Sequence, residues 1–276
     1  MRPTVTIATF VFLLCSALRG SAPAAPVPVT ACGQAIPAGA HGVLQNDLDC
    51  PDTGQALVVG SGASLALNGH TISVQGGGSV VDVHSAGRHT ISGPGSFSNC
   101  TIACGVGFDY KRVVRVDSVD FANVAFSAIE CLDQNAYRKN VVTARDVHIS
   151  GDAAFGLTAG TVDLQNVSIA GTTIAAILSD RVKARGLSIV GTAGYGIKTD
   201  TFFSKRVQLE AAEIRDNQGS GVASHALLAV RSTVTGNGGT AGVDLLTQTK
   251  PKLHNTTCDR SRDSGTQTPW GICSGD

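Results

Sequence analysis

Leu164-Gln165-Asn166-Val167-Ser168-Ile169-Ala170-Gly171 returns twenty residues later as Ala184-Arg185-Gly186-Leu187-Ser188-Ile189-Val190-Gly191. The same frame stands upstream as Ala144-Arg145-Asp146-Val147-His148-Ile149-Ser150-Gly151 and downstream as Leu209-Glu210-Ala211-Ala212-Glu213-Ile214-Arg215-Asp216. Each pass leads through a short loop to a second apolar marker: Leu157, Ile177, Ile197 and Val222. Within a pass the apolar residues alternate at period two, the pattern of a strand with one buried face. From Val147 to Val167 to Leu187 to Ala212 the steps are 20, 20 and 25 residues. An earlier pass through Val119 and Phe121 lies 28 residues before Val147, the excess being the polar stretch Asp133 to Asn140. A period near twenty without a leucine-rich consensus fits one coil of a parallel β-helix. Residues 53–254 would then make about nine coils, a rod of about 40–45 Å at strand spacing.

Composition follows from such a coil. The chain of 276 residues holds 33 Gly but only 5% aromatic residues. A narrow interior stacks Val, Ile, Leu and Ala, and leaves rings to the ends or loops. Gly151, Gly171, Gly191 and Gly236, with Asn217 and Asn237 beside them, mark corners where φ turns positive. Lys+Arg 21 balances Asp+Glu 21, with no basic block to hold a nucleic acid or an anionic membrane.

Residues 1–24 read as a signal peptide. Arg2 precedes the apolar run Val5 to Leu18, which is too short to span a bilayer, and Ala22-Pro23-Ala24 offers a cleavage site. The expected mature protein is secreted or periplasmic, monomeric, and without a membrane span. Seven cysteines remain after Cys15. Cys32 with Cys50 and Cys258 with Cys273 are local pairs at the two ends, where a solenoid needs caps. Of the other three, either Cys104 pairs with Cys131 or Cys100 with Cys104, leaving one thiol. Trp270 is the expected apolar plug of the C-terminal cap. The expected order is signal peptide 1–24, N-terminal cap 25–52, β-helix 53–254 and C-terminal cap 255–276.

Leu65-Ala66-Leu67-Asn68-Gly69-His70-Thr71-Ile72, followed by His89-Thr90-Ile91-Ser92-Gly93-Pro94-Gly95, resembles the opening coils of secreted bacterial right-handed parallel β-helix repeat proteins of the pectin-lyase-like superfamily. Lys250 to Leu253, Cys258 and Trp270-Gly271-Ile272-Cys273 resemble the end of such chains. The resemblance implies an all-β, single-stranded right-handed parallel β-helix with disulfide-stapled caps. That architecture carries lyases, hydrolases, epimerases, adhesins and inert spacers, so chemistry must be read from a site. The hydrolase motifs of this group are missing, and Gly107-Phe108-Asp109 continues with Tyr110 and Lys111 where the epimerase signature has Pro and His. Whether the chain is an enzyme therefore stays open at this stage.

Three residues past Ile177, Ile197 and Val222 stand Asp180, Asp200 and His225, a column about 10 Å long. Two carboxylates and an imidazole so spaced are able to work as acid and base on a sugar chain. The competing reading makes them solvated turn residues. Lys198 and Arg206 suit a uronate or sulfate, while Phe202 and Phe203 suit a sugar face. Glu130, Asp133 and Arg138 in the long insertion form a second candidate set. The Asn-x-Ser/Thr triplets at Asn99, Asn166 and Asn255 read more simply as coil corners. The expected function is a non-catalytic polysaccharide-binding or extracellular structural module, with a uronate-polymer lyase, hydrolase or epimerase, or a plain spacer or adhesin, as alternatives. None of these readings calls for a cofactor, a metal ion or a nucleic acid.

Overall fold

The computed structural model describes residues 25–51, 54–76, 80–83, 86–104, 111–131, 140–199, 206–239 and 242–276. The expected signal peptide 1–24 and the candidates Asp133, Arg138, Asp200, Phe202 and Phe203 lie outside the described residues. The chain visits three faces in turn and pairs each strand in parallel with its equivalent one coil away. Face A runs from Val27–Val29 through Arg112–Asp117 and Arg206–Glu210 to Lys252–His254. Face B runs from Leu48–Cys50 through Asp120–Ala122 and Glu213–Arg215 to Thr257–Cys258. Face C runs from Gln34–Ile36 through Ser127–Cys131 and Tyr195–Lys198 to Ser261–Asp263. The result is an all-β parallel solenoid, and the pairing extends through residues 27–50 as well as the 53–254 repeat.

The corners explain why some strands are long. Between faces A and B, Ser118, Asp146, Asn166, Gly186, Ala211, Arg231 and Asn255 fall in one column, with φ between 49° and 63°. A single left-handed residue turns the chain without interrupting its pairing, so Val141–Ser150 and Phe155–Ala170 run straight through this corner. Between faces B and C the column is Asn99, Asn123, Gly151, Gly171, Gly191, Asp216 and Gly236, again with positive φ throughout. At Gly171 a Cβ would also meet the Gly151 carbonyl oxygen at 2.8 Å, so glycine answers both demands there. Asn99, Asn166 and Asn255 are thus corner residues, as their place in the repeat implies.

The interior is a set of ladders. Face B contributes Ile149, Ile169, Ile189, Ile214 and Val234 in register, and face A alternates Ala144, Leu164, Ala184, Leu209 and Ala229, all buried. Small and large side chains on alternate rungs fill the narrow section, and each buried Ile or Leu contributes about 1.5–3 kcal/mol. One expectation about this interior fails. Phe97 and Phe121 are fully buried in mid-rod, partnered in register on face B, with centroids 5.1 Å apart and planes 21° from parallel. The rung spacing of about 4.8 Å is close to ring-stacking distance, so two successive rungs hold a pair of rings that one rung would not.

Three disulfides staple the stack: Cys32–Cys50, Cys104–Cys131 and Cys258–Cys273. Cys104 and Cys131 end equivalent strands of face C on adjacent coils, which leaves Cys100 as the buried thiol. At the N-terminal edge the Gln34 side chain accepts from Thr30 N at 3.1 Å and donates to the Pro28 carbonyl at 2.7 Å. Together with Pro28 itself, these bonds occupy backbone groups that would otherwise template another strand. At the C-terminal end the parallel order stops at an antiparallel bridge between Arg262 and Pro269. Leu253 and Cys273 pack against the core there, while Trp270 is only half-buried, so the cap is closed by a disulfide and aliphatic contacts and not by an indole plug.

Candidate functional site: a basic groove on face A

On face A from Val141 onward the inward residues of each strand are apolar, and the residues between them point outward in three columns. The first holds Thr161, Arg181, Arg206 and Ala226; the second Asp163, Lys183, Gln208, Leu228 and Lys252; the third Arg145, Gln165, Arg185, Glu210 and Val230. These side chains stand around a hollow of about 670 Å³ between Arg145 and Val230, and a neighbouring one of about 490 Å³ between Thr161 and Arg206. A third, of about 180 Å³, continues past Ala226 to Lys250 and Lys252. Gln208 lines all three, so they form one groove across the later coils.

The groove is predominantly cationic. Arg145, Arg181, Lys183, Arg185, Arg206 and Lys252 are exposed along it, with Asp163 and Glu210 as the acids among its outward residues. Glu210 is already engaged: Arg185 grips it through two bonds of 2.9 and 3.1 Å, and Arg231 reaches the same carboxylate. The Arg185 bonds hold the Glu210 carboxyl below its ordinary range, and the glutamate in turn raises Arg185. Arg181 and Arg206 face each other in register on adjacent strands. Among the described residues neither has an ion-pair partner. Like charges directly opposite on neighbouring strands destabilise a sheet, so this pair adds nothing to the stability of face A.

The candidates named from sequence divide among three places. Arg206 lies in the groove. Asp180 and His225 occupy the same column of the corner between faces C and A, as their spacing implies; Asp180 is 9% exposed, and His225 Nδ1 lies 2.6 Å from Gln248 Oε1. Lys198 and Glu130 stand on face C, away from the groove. Lys198 lies 4.9 Å from the centroid of the Tyr195 ring, and burial pushes the Glu130 carboxyl up. Sequence reasoning missed Arg145, Lys183, Arg185 and Glu210. Their signal was present as the outward residues of each repeated pass, but reading it requires knowing which face is concave.

Among the described residues no group of three or more His, Cys, Asp or Glu side chains is placed to hold a metal ion, and no helix is long and apolar enough to cross a membrane.

No curated protein sequence matches the chain. A solved structure similar to it is the A-module of the mannuronan C-5 epimerase AlgE4 from Azotobacter vinelandii, at 14% identity over 84% of this chain and 81% of that one, with a TM-score of 0.43. The family model for the right-handed β-helix region matches residues 52–258. With three-quarters of the chain inside that match and a parallel solenoid throughout it, the protein belongs to the right-handed β-helix family.

Proposed function

We propose that the protein is an exported β-helix module that binds an anionic polysaccharide, of uronate or sulfate type, along face A without transforming it. The observation that carries this reading is the pair Arg181 and Arg206, in register along one side of the groove with Lys183 beside them and with no ion-pair partner among the described residues. Guanidinium groups on successive rungs, about 4.8 Å apart, offer planar forks that carboxylate or sulfate oxygens accept bidentately. The state of Glu210 favours binding over catalysis. A glycosidase-like mechanism uses two available carboxyl groups, and this one is clasped by two arginines. The three disulfides fit an oxidising compartment.

A second reading, a lyase or epimerase on the same polymers, draws on Asp180 and His225 sharing the corner column beside Arg181. One experiment separates the two. In affinity electrophoresis through polygalacturonate, alginate or dextran sulfate, the protein is expected to be retarded, with neutral dextran as control. The R181Q/R206Q variant should migrate freely. Lack of retardation by every anionic polymer would overturn the proposal, whereas unsaturated or epimerised uronates lost in D180A would replace it with the catalytic reading.

A further inference from the structure

Among the described residues, Phe126, Phe155 and Tyr195 lie outside the core cluster and gather along the start of face C, a different face from the basic groove. Phe126 and Ile174 are the large apolar side chains exposed among the described residues, at 53% and 46%. They belong to one column at the start of face C, running Phe126, Ala154, Ile174 and Gly194, tied by Ile174 N to the Ala154 carbonyl at 3.0 Å and Tyr195 N to the Ile174 carbonyl at 2.9 Å. The adjacent column is Ser127, Phe155, Ala175 and Tyr195 in register. Ala175 is completely buried yet stands apart from the core cluster, since the rings of Phe155 and Tyr195 flank it on the rungs above and below. Phe126 and Phe155 hold each other edge to face, with centroids 5.7 Å apart at 74°. At Gly194 the strand passes so close to Ile174 that a Cβ would sit 1.8 Å from its carbonyl oxygen, so the column stays bare beside Tyr195.

The ridge spans four rungs, about 14 Å. Its apolar surface is on the order of 200–350 Å², against about 800 Å² that each partner commits in a stable protein interface. That area is too small for a second copy of the chain and suits a narrow ligand. Rings fixed on a rigid sheet, alternating with aliphatic side chains at intervals near one sugar length, offer C–H faces a stacking surface. Lys198 beside Tyr195 adds hydrogen-bond donors at one end of the ridge. We propose that Phe126, Phe155, Ile174 and Tyr195 form a second carbohydrate site, specific for a neutral β-linked glycan whose equatorially substituted pyranoses expose flat C–H faces. It is independent of the groove on face A and stands or falls separately from it.

The test is affinity electrophoresis of the full mature chain through hydroxyethyl cellulose, with titration by cellohexaose as the solution counterpart. Retardation is expected. F126A and Y195A should each weaken association about tenfold, with thermal unfolding of F126A near that of the parent because the ring is more than half exposed. The R181Q/R206Q variant should keep full retardation here while losing it on polygalacturonate. Free migration of the parent through hydroxyethyl cellulose would overturn the proposal. So would concentration-dependent dimerisation in sedimentation that F126A abolishes, since a second copy would then cover the ridge.

Discussion

The side-chain oxygen of Asn237 accepts from both the backbone N and the Nδ2 of Asn217, at 3.2 and 2.7 Å, one coil away. The Asn217 oxygen accepts from Thr192 N at 2.9 Å, and Asn237 Nδ2 donates to Asp244 Oδ1 at 2.9 Å, so a buried polar ladder climbs three successive turns between faces B and C. Asp244 closes it, its second oxygen taking the N–H groups of Asp259 and Arg260. In a turn shielded from water these bonds do for the loop backbone what the sheet does for the strands.

Replacing Asn237 by Ala therefore strands several buried groups at once. At about 1–3 kcal/mol for each unsatisfied group, N237A is expected to lower stability by about 3 kcal/mol or more, read as a shift in the urea midpoint. The isosteric N237D sets a second carboxylate against Asp244. It should be less stable at neutral than at mildly acid pH, a dependence that simple loss of packing would not produce.

Cys100 gives a check on the disulfide pattern. Burial pushes its thiol up to about 12, so the folded chain is expected to resist a thiol reagent at pH 8. In denaturant, with disulfides intact, the chain without residues 1–24 should release one reactive thiol. Labelling of Cys104 or Cys131 in place of Cys100 would contradict the Cys104–Cys131 pairing.

Acid should open the C-terminal cap. Asp276 accepts N–H groups from Ser261, Ile272 and Cys273 and the Ser261 hydroxyl. Burial alone would raise its carboxyl, but these bonds outweigh it and hold the group below its ordinary 3.8. Its contribution is thus complete above that value and is lost as pH falls through the depressed one. Trp270, the single tryptophan, donates its backbone N–H to the Ser261 carbonyl and reports the change by fluorescence. D276N should show the opened-cap signal already at pH 7 and no acid transition.

Glu210 sets the charge of the groove. E210Q frees Arg185 and Arg231 from their shared carboxylate, so retention on polygalacturonate is expected to rise and its salt dependence to steepen. A fall in retention would mean that Glu210 positions the arginines, and that their pairing with it is part of the binding geometry.

Local sequence determined the coil. Alternation at Val147-His148-Ile149 or Leu187-Ser188-Ile189 orients each strand, and a twenty-residue return brings equal side chains into stacked register, so ladders, corners and end staples follow from one dimension of information. Of the column counted out as Asp180, Asp200 and His225, Asp180 and His225 stand at equivalent positions, while Asp200 lies outside the described residues. Tertiary structure alone decided what adding a third direction decides. It stacked Phe97 on Phe121 inside the rod, chose Cys131 over Cys100 as the partner of Cys104, and moved Lys198 and Glu130 to a different face from Arg206. The physical reason is that a repeat specifies neighbours along the rod, whereas a site forms across it. Arg181, Lys183, Arg185 and Glu210 become a groove only where face A brings outward side chains of several coils around adjoining hollows.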